Sequence, residues 1–342
     1  MQALSKTGGR SSRWWHWPIA VLLAAVLLYF SLRGVDWGAV WITLARVRPR
    51  YLGMALAVAL VSTFARSLRW RVLLNAEGRV GVGTVFWANA AGYLGNNFLP
   101  ARAGEFIRAA MISARSGLSK TYTLTTALTE RVMDAIALIA ISSFVLATMR
   151  EKPAWLATAS KPFAVIGLAG AIALIVLPYS GELLEKALHV LPMPAAVRGR
   201  LLEIAAHVLQ GVRALHNVGR LAGFCSLTVL IWCLDACSSI LAARALSLTL
   251  SFPVALLLLA GLGLGSALPS TPGYVGVYQF VAVSVLTPFG FSRSDALAFI
   301  LLAQAFNYAV ITTLGSIGFW EYRKSAKLAA FRDPRSASSQ SG

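Results

Sequence analysis

The chain has 342 residues, of which 57% are hydrophobic and only 13% are charged. This composition, with a mean hydropathy of +0.68, excludes an ordinary soluble globular protein and predicts an integral membrane protein. The formal net charge of +18 agrees with the basic excess on the cytoplasmic side of membrane proteins and with contact to anionic lipid, so we expect no nucleic-acid partner.

Six apolar segments are long enough to cross a bilayer whose hydrocarbon core is about 30 Å thick. They are residues 17–32, 51–66, 124–149, 162–178, 221–241 and 296–320. The first follows basic residues, as in a signal peptide, but its tryptophans suit a membrane interface, and we interpret it as a retained span. Residues 1–16 would form a cytoplasmic N-terminus, and residues 321–342 a disordered basic tail.

Two further apolar regions, at about 83–115 and 253–288, are interrupted by the sequences NNFLPARAG and GSALPSTPG. The segments on either side of each break are short for a membrane span. Each region therefore predicts a re-entrant hairpin of two half-helices. In the alternative, the second half of each region crosses the membrane by itself, and the chain has eight spans.

The two breaks share the pattern Leu-Pro-x-x-x-Gly, and their prolines, Pro100 and Pro269, lie 169 residues apart. The same shift carries the second predicted span onto the fifth and the third onto the sixth. We therefore predict an all-α polytopic membrane protein with six spanning helices and two re-entrant hairpins. Residues 17–149 and 150–320 would form an inverted repeat, as in secondary transporters.

The distribution of charge predicts the orientation. With six crossings, the cytoplasmic segments would hold 21 of the 31 lysines and arginines, so both termini are expected in the cytoplasm. Residues 36–47 on the outer face and 182–216 on the cytoplasmic face mix polar and apolar residues as amphipathic helices in the interface plane do.

Unwound backbone at membrane depth is tolerated only where it is buried in protein or lines a wet cavity, so both breaks predict a cavity. The helix N-termini that follow the breaks would direct unpaired N–H groups towards it, which suits an anion or phosphate. The candidate substrate-binding residues are Asn96, Asn97, Arg102, Glu105, Arg108, Glu130, Arg131, Asp134, Thr271 and Gly273. The candidate hinge residues are Pro100, Gly104, Pro269, Pro272 and Gly276.

Three acidic candidates have two interpretations each. Glu105 either contacts the substrate or, paired with an arginine, locks the first hairpin. Glu130 and Asp134 lie four residues apart on one helix face. They are either functional residues or form a structural ion pair with Arg102 or Arg108.

The fifth predicted span contains Asp235, the most deeply placed acid, and all three cysteines, Cys225, Cys233 and Cys237. Asp235 and Glu130 are candidates for proton coupling, while a hydrogen bond or a facing arginine would explain Asp235 equally well. The cysteines form no CxxC pair and have no histidine nearby. The sequence therefore predicts no disulfide, no metal site and no cofactor.

Three blocks, GNNFLPARAGEFIRA, TERVMD and LPSTPGYVGVYQF, resemble in order and spacing the signature blocks of the flippase-like family named for the lysylphosphatidylglycerol synthase transmembrane region. The resemblance covers residues 17–325. It implies a role in moving lipids or lipid-linked molecules across the bacterial cytoplasmic (inner) membrane. The positions of this chain that match the signature motifs are Asn97, Pro100, Arg102, Gly104, Glu105, Arg108, Glu130, Arg131, Asp134, Pro269, Pro272, Gly273 and Gly276.

Two features depart from that family. Many members have an acid where this chain has Gln279, so a charge expected near the second hairpin is missing. No soluble domain follows Trp320, and we therefore expect no lipid-aminoacylating activity.

We interpret the chain as a transporter rather than an enzyme. Arg102, Arg108 and Arg131 would hold the anionic phosphate headgroup of a membrane lipid between the hairpins, and rocking of one repeat against the other would change its access. The alternatives are an intramembrane transferase that uses an acid of the first or second block as a base, and a non-transporting scaffold for envelope lipid biosynthesis. A homodimer is also compatible with the sequence.

Overall fold

The computed structural model describes residues 16–99, 103–149, 213–266 and 272–332, with isolated helical positions between 165 and 199. Within these ranges the chain forms ten α-helices and no β-strand. The helices are α1 (His16–Leu32), α2 (Trp37–Ala45), α3 (Pro49–Leu74), α4 (Val82–Phe98), α5 (Gly104–Ser116), α6 (Lys120–Thr148), α7 (Val218–Ala245), α8 (Phe252–Gly265), α9 (Val277–Leu286) and α10 (Arg293–Arg332).

Four helices, α3, α6, α7 and α10, are long and apolar enough to cross a membrane, and α1 with α2 forms a fifth candidate that is bent by 85°. The chain is therefore a multi-pass membrane protein, as predicted. The four long helices cover the second, third, fifth and sixth predicted spans. The fourth predicted span, 162–178, most of the segment 182–216, and residues 1–15 lie outside the described residues.

Helix α3 runs two turns further than the apolar pattern predicts. It ends at Leu74 rather than near Arg66. Its last turns bury Arg69 and Trp70 inside the protein, so the charges that end the apolar segment do not end the helix.

Helix α10 continues to Arg332, into the segment 321–342 for which the sequence predicts disorder. The added residues are rich in alanine, lysine, leucine and arginine, which favour helix.

Both predicted breaks separate short helices. Helices α4 and α5 have 17 and 13 residues, and α8 and α9 have 14 and 10. Each is shorter than the about 20 residues that cross a membrane. The centres of the breaks, including Pro100, Arg102, Pro269 and Thr271, lie outside the described residues, and the insertion of either helix pair from one face stays a prediction.

Helices α4 and α5 pack directly on each other where three glycines meet. A methyl group on Gly104, the first residue of α5, would overlap the carbonyl oxygen of Gly92 and lie 2.6 Å from Asn96 Oδ1. A methyl group on Gly95 would lie 2.7 Å from Ile107 Cδ1. Glycine therefore permits the close approach of the two helices.

We expect Gly104→Ala to lower the free energy of unfolding by about 1–3 kcal/mol, the usual cost of overpacking, because the new methyl group has no space against α4. The matched control is Gly83→Ala in α4, where nothing lies within 4 Å of an added Cβ. This control should be neutral or slightly stabilising. Thermal unfolding of the purified variants in detergent measures both, and equal midpoints would contradict the close approach.

The helices of the first half recur in the second. Helices α3 to α6 correspond to α7 to α10, with first residues shifted by 169, 170, 173 and 173 positions. Helix α3 packs on α4, α4 on α5 and α5 on α6, and the corresponding contacts join α7 to α8, α8 to α9 and α9 to α10. Between the halves, α4 packs on α10 and α6 on α8. These contacts follow the repeat that the sequence predicts.

The equivalent helices α3 and α7 pack against each other in opposite directions. The backbone N–H of Arg48, before α3, donates to the carbonyl of Ala245 at the end of α7 over 2.9 Å. Further along α3, Arg69 Nη1 donates to Thr228 Oγ1 over 3.2 Å. Opposite directions of equivalent helices are what two halves of inverted topology require.

Candidate functional site

Six charged side chains from α3, α5 and α6 form a closed ring of alternating charge, here called the charged ring. In order of contact its members are Arg69, Glu130, Arg108, Glu105, Arg131 and Asp134. Three guanidinium groups balance three carboxylates, so the ring has no net charge. Charges in a membrane protein interior are retained where they are compensated in this way.

The helix positions of these residues explain how the ring closes. Glu105 and Arg108 are three residues apart on α5, and Glu130 and Asp134 are four apart on α6, so each pair shares one helix face. Helix α5 packs on α6, which brings the two faces together. Arg69 reaches the ring from α3.

One side of the ring is fully buried. Glu130 has 0% exposure, and Arg69 and Arg108 have 1% each. The oxygens of Glu130 accept from Arg69 Nη2 at 2.9 Å and from Arg108 Nη1 at 2.7 Å. Arg108 also lies over the ring of Trp70 at 4.4 Å, and Arg69 over Phe224 at 5.2 Å. Such cation–π contacts are strongest where water is excluded.

The other side of the ring is more open. Glu105 accepts from Arg108 Nε at 2.6 Å and from Arg131 Nε at 2.9 Å. Asp134 accepts from Arg69 Nη1 at 2.5 Å and lies 3.6 Å from Arg131 Nη1. The Arg131 side chain is 26% exposed, which makes it the member of the ring that a ligand can reach most easily.

A cavity of about 170 Å³ lies beside Arg131 and is lined by both halves of the chain. The first half contributes Tyr93, Asn96, Asn97, Glu105 and Arg131. The second half contributes Gly273, Tyr274, Tyr278, Gln304, Asn307, Tyr308 and Ile311. A ligand in this cavity would therefore contact both repeats.

The second break shapes one wall of the cavity through left-handed backbone. Gly273 and Gly276 have φ of 76° and 86°, and Tyr274 has φ of 59°, a conformation that costs a residue with a side chain about 1–2 kcal/mol. The hydroxyl of Tyr308 occupies the place where a Cβ on Gly273 would lie. The ring of Tyr274 stacks on Tyr278, with centroids 4.9 Å apart and planes at 8°.

Three hydrogen bonds join the residues of this break. The N–H of Gly276 donates to Gln279 Oε1 over 2.7 Å, Gln279 Nε2 donates to Gln304 Oε1 over 2.8 Å, and Gln304 Nε2 donates to the Gly273 carbonyl over 2.7 Å. An ionised acid at position 279 could accept from Gly276 but could not donate to Gln304. The amide of Gln279 therefore has a structural use that a carboxylate would not fulfil.

The predicted binding residues that the structure describes fall into two groups. Those that line the cavity are Asn96, Asn97, Glu105, Arg131 and Gly273. Arg108, Glu130 and Asp134 lie behind them in the charged ring. Direct contact of Arg108 with a headgroup stays a prediction, and it would require the ring to open because Arg108 is 1% exposed.

The remaining predicted residues lie at the breaks. Arg102 and Thr271 are outside the described residues, as are Pro100 and Pro269. Pro272 begins a 3₁₀ turn, Pro272–Tyr274. Within the described ranges no three histidine, cysteine or carboxylate side chains are placed to hold a metal ion.

Asp235 faces an arginine, one of the interpretations that its sequence position allowed. It pairs with Arg66, and its other oxygen accepts from Ser62 Oγ at 2.6 Å. Arg66 and Asp235 are 169 residues apart, so they occupy equivalent positions of the two repeats. Proton coupling through Asp235 or Glu130 stays a prediction.

Sequence reasoning missed Arg69 and Asn89. Asn89 Oδ1 accepts from Arg108 Nη1 at 2.8 Å, and its amide donates to Ser67 Oγ over 3.2 Å. Arg69 was overlooked because the apolar pattern ends the second span at Arg66. The available signal was the spacing of the two arginines, three residues apart and thus on one helix face.

The chain matches the family described as the lysylphosphatidylglycerol synthase TM region over residues 17–315. The match includes every member of the charged ring and every residue of the cavity lining. No curated protein matches the chain.

Proposed function

The chain belongs to the family of the lysylphosphatidylglycerol synthase TM region, and from this premise we propose that it is a flippase-like carrier of a lipid or lipid-linked molecule. One observation carries the proposal: the cavity is lined by both repeats and has an arginine of the charged ring in its wall. A headgroup bound there would contact both halves. Movement of one half against the other could then change the side from which the headgroup is accessible.

Arg131 is proposed to bind the phosphate of the headgroup. Its Nη1 lies 3.6 Å from Asp134, beyond an ordinary hydrogen bond, so a phosphate oxygen could take this donor. Charge-assisted hydrogen bonds of this kind are strong. Glu105 and Asp134 compete for the same guanidinium, which keeps the phosphate from being held too tightly for release.

The other arginines have different proposed roles. Arg69 and Arg108 position Arg131 through Asp134 and Glu105, because both are buried and already paired. Arg102, two residues after Pro100 in the sequence, is proposed as a second phosphate contact.

The proposed membrane arrangement keeps the six spans of the sequence analysis. Helices α1, α3, α6, α7 and α10 and the segment 162–178 would cross the membrane, while α4–α5 and α8–α9 would enter from opposite faces. Both termini would lie in the cytoplasm of a bacterium. The antiparallel packing of α3 and α7 and the recurring helix contacts support this inverted repeat.

The test is lipid translocation in proteoliposomes with fluorescent anionic phospholipids and a membrane-impermeant reducing quencher outside. Wild-type protein is expected to move labelled lipid from the inner to the outer leaflet, where the quencher reduces the label. Arg131→Gln is expected to slow this movement by about tenfold or more, because the loss of one charged hydrogen bond corresponds to about that factor. Glu105→Gln should also slow it, because Glu105 holds Arg131 in place.

The matched control is Arg79→Gln, which removes an exposed arginine between α3 and α4. It should translocate lipid at the wild-type rate. Equal quenching in wild-type and protein-free liposomes would refute the carrier, and an unaffected Arg131→Gln would refute the role of the cavity. Chemical change of the lipid in detergent, where no membrane remains to cross, would instead favour the transferase.

A further inference from the structure

A second concave site, here called the α4–α10 groove, lies at the surface between helices α4 and α10. It has a volume of about 550 Å³ and is lined by Leu94, Ser316, Phe319, Trp320, Arg323 and Lys324. These residues are all different from those that line the cavity beside Arg131. The groove is therefore a separate site, and the proposed carrier function makes no use of it.

The chemical character of the groove changes along α10. Leu94 and Phe319 supply apolar surface, and Trp320 follows with 59% of its surface exposed. Arg323 and Lys324 come about one turn later on the same helix. Because an α-helix rises 1.5 Å per residue, the groove runs about 12 Å along α10. An occupant that fits it is apolar at one end and negatively charged at the other.

The two basic residues have charge available for a ligand. Both Arg323 and Lys324 are exposed, and the ion pairs among the described residues include neither of them. Lys324 Nζ lies over the ring of Trp320 at 5.2 Å, a cation–π contact that holds the ammonium group at the groove. Glu321, the acid nearest to them in sequence, is not part of the described lining.

The groove lies where α10 leaves its predicted membrane span. The apolar segment ends at Trp320, and tryptophan is enriched at the boundary between membrane and water. In the proposed membrane arrangement this end of α10 lies on the cytoplasmic side, where the leaflet carries anionic lipids. The apolar part of the groove then lies at the depth of acyl chains, and Arg323 and Lys324 lie at the depth of headgroups.

The size of the groove separates a lipid from a small anion. A volume of about 550 Å³ corresponds to about 18 water molecules at about 30 Å³ each. This is far more room than a phosphate ion occupies, and the added space lies beside apolar side chains. Part of an acyl chain fills such a space favourably, since it covers apolar surface.

We infer that the α4–α10 groove binds one anionic phospholipid of the cytoplasmic leaflet, at a site separate from the proposed transport cavity. Its phosphate would contact Arg323 and Lys324, and an acyl chain would lie against Leu94 and Phe319. Leu94 belongs to the first half of the chain and α10 to the second, so the bound lipid would stabilise the contact between the halves. The inference depends on the proposed membrane arrangement but not on carrier activity.

Trp320 provides the measurement, because its ring lines the groove. Brominated lipids quench tryptophan fluorescence on contact, and the difference between wild type and Trp320→Phe isolates this residue among the ten tryptophans. The full chain is titrated with each lipid in micelles of an uncharged detergent. Brominated phosphatidylglycerol should quench Trp320 at about 10- to 30-fold lower concentration than brominated phosphatidylcholine, since each basic residue contributes about a fivefold preference for anionic lipid.

The combined variant Arg323→Gln and Lys324→Gln should remove this preference without unfolding the protein, because both side chains are exposed. The matched control is Arg79→Gln with Lys120→Gln, which also removes one exposed arginine and one exposed lysine but lies away from the groove. The control should keep the preference of the wild type.

Several results would overturn the inference. These are equal quenching by the two lipids in wild type, a preference that survives loss of Arg323 and Lys324, or a preference that the control also loses. Displacement of the lipid by an equal concentration of glycerol 1-phosphate would assign the groove to a free phosphate ester and refute the lipid site. None of these measurements requires translocation, so failure of the groove and failure of the carrier are distinguishable.

Discussion

Glu130→Gln is expected to lower the free energy of unfolding by about 3–5 kcal/mol, the cost of removing one partner from a buried ion pair. Glutamine has nearly the same shape as glutamate, so the change removes charge without opening a cavity. Arg69 and Arg108, each 1% exposed, would both lose the carboxylate that joins them. Denaturation of the purified protein in detergent measures the loss, and lipid translocation should fail with it because Arg131 is positioned through the same ring.

Two further variants make the result specific. Glu77→Gln removes an exposed acid in the connection between α3 and α4 and should change stability by no more than about 0.5 kcal/mol. Glu130→Asp keeps the charge on a shorter side chain and should fall between glutamine and wild type. A Glu130→Gln protein as stable as the Glu77→Gln control would mean that the charged ring does not stabilise the fold.

Charge reversal at Arg66 and Asp235 is expected to be harmful singly and tolerated in combination. Arg66→Asp places two carboxylates together between α3 and α7, and Asp235→Arg places two guanidinium groups there. Each should greatly reduce the yield of folded protein. Because the two positions are equivalent in the repeat, the double variant rebuilds the pair in reverse and should recover about 2–3 kcal/mol of coupling energy.

Size-exclusion elution and thermal unfolding of the three variants give the coupling as a double-mutant cycle. Ser62→Ala tests the neighbouring hydrogen bond to Asp235 and should cost only about 1 kcal/mol. If the double variant is no more stable than the less stable single variant, Arg66 and Asp235 have no favourable coupling energy, and their ion pair does not stabilise the packing of α3 on α7.

The apolar pattern and the internal sequence repeat together predict much of the fold. Long hydrophobic runs predict α3, α6, α7 and α10, since a lipid environment requires continuous helix. The repeated Leu-Pro-x-x-x-Gly pattern predicts that α4 and α5 are equivalent to α8 and α9 in the other half of the chain. The apolar pattern predicts too short an α3, because hydropathy ends the span at Arg66, whereas pairing with Glu130 and Asp134 allows Arg69 to be buried further along the same helix.

The sequence predicts the charged residues of α5 and α6 in the candidate site, but not Arg69, the tyrosines of the cavity wall or the contacts between the helices. Glu105, Glu130 and Arg131 attract attention because charge within membrane helices is costly. Spacing on one helix shows which residues share a face, but it does not show that Arg69 comes from another helix to close the ring. The tyrosines of the cavity wall carry no such signal, because aromatic residues are common throughout membrane helices, and only the tertiary packing brings Tyr93 and Tyr308 together.

The charged ring has no counterpart in the second repeat. Shifted by 169 residues for α3 and by 173 for α5 and α6, its members fall on neutral residues: Ser238, Tyr278, Val281, Ala303, Gln304 and Asn307. A carrier with identical halves of inverted topology would have two states of equal free energy, open to opposite sides of the membrane and related by a two-fold axis. Here that degeneracy is lost, and a difference of only about 1–2 kcal/mol would hold one state in about 5- to 30-fold excess. In such a carrier, the difference in sequence between the two repeats would determine which conformational state predominates before any lipid binds.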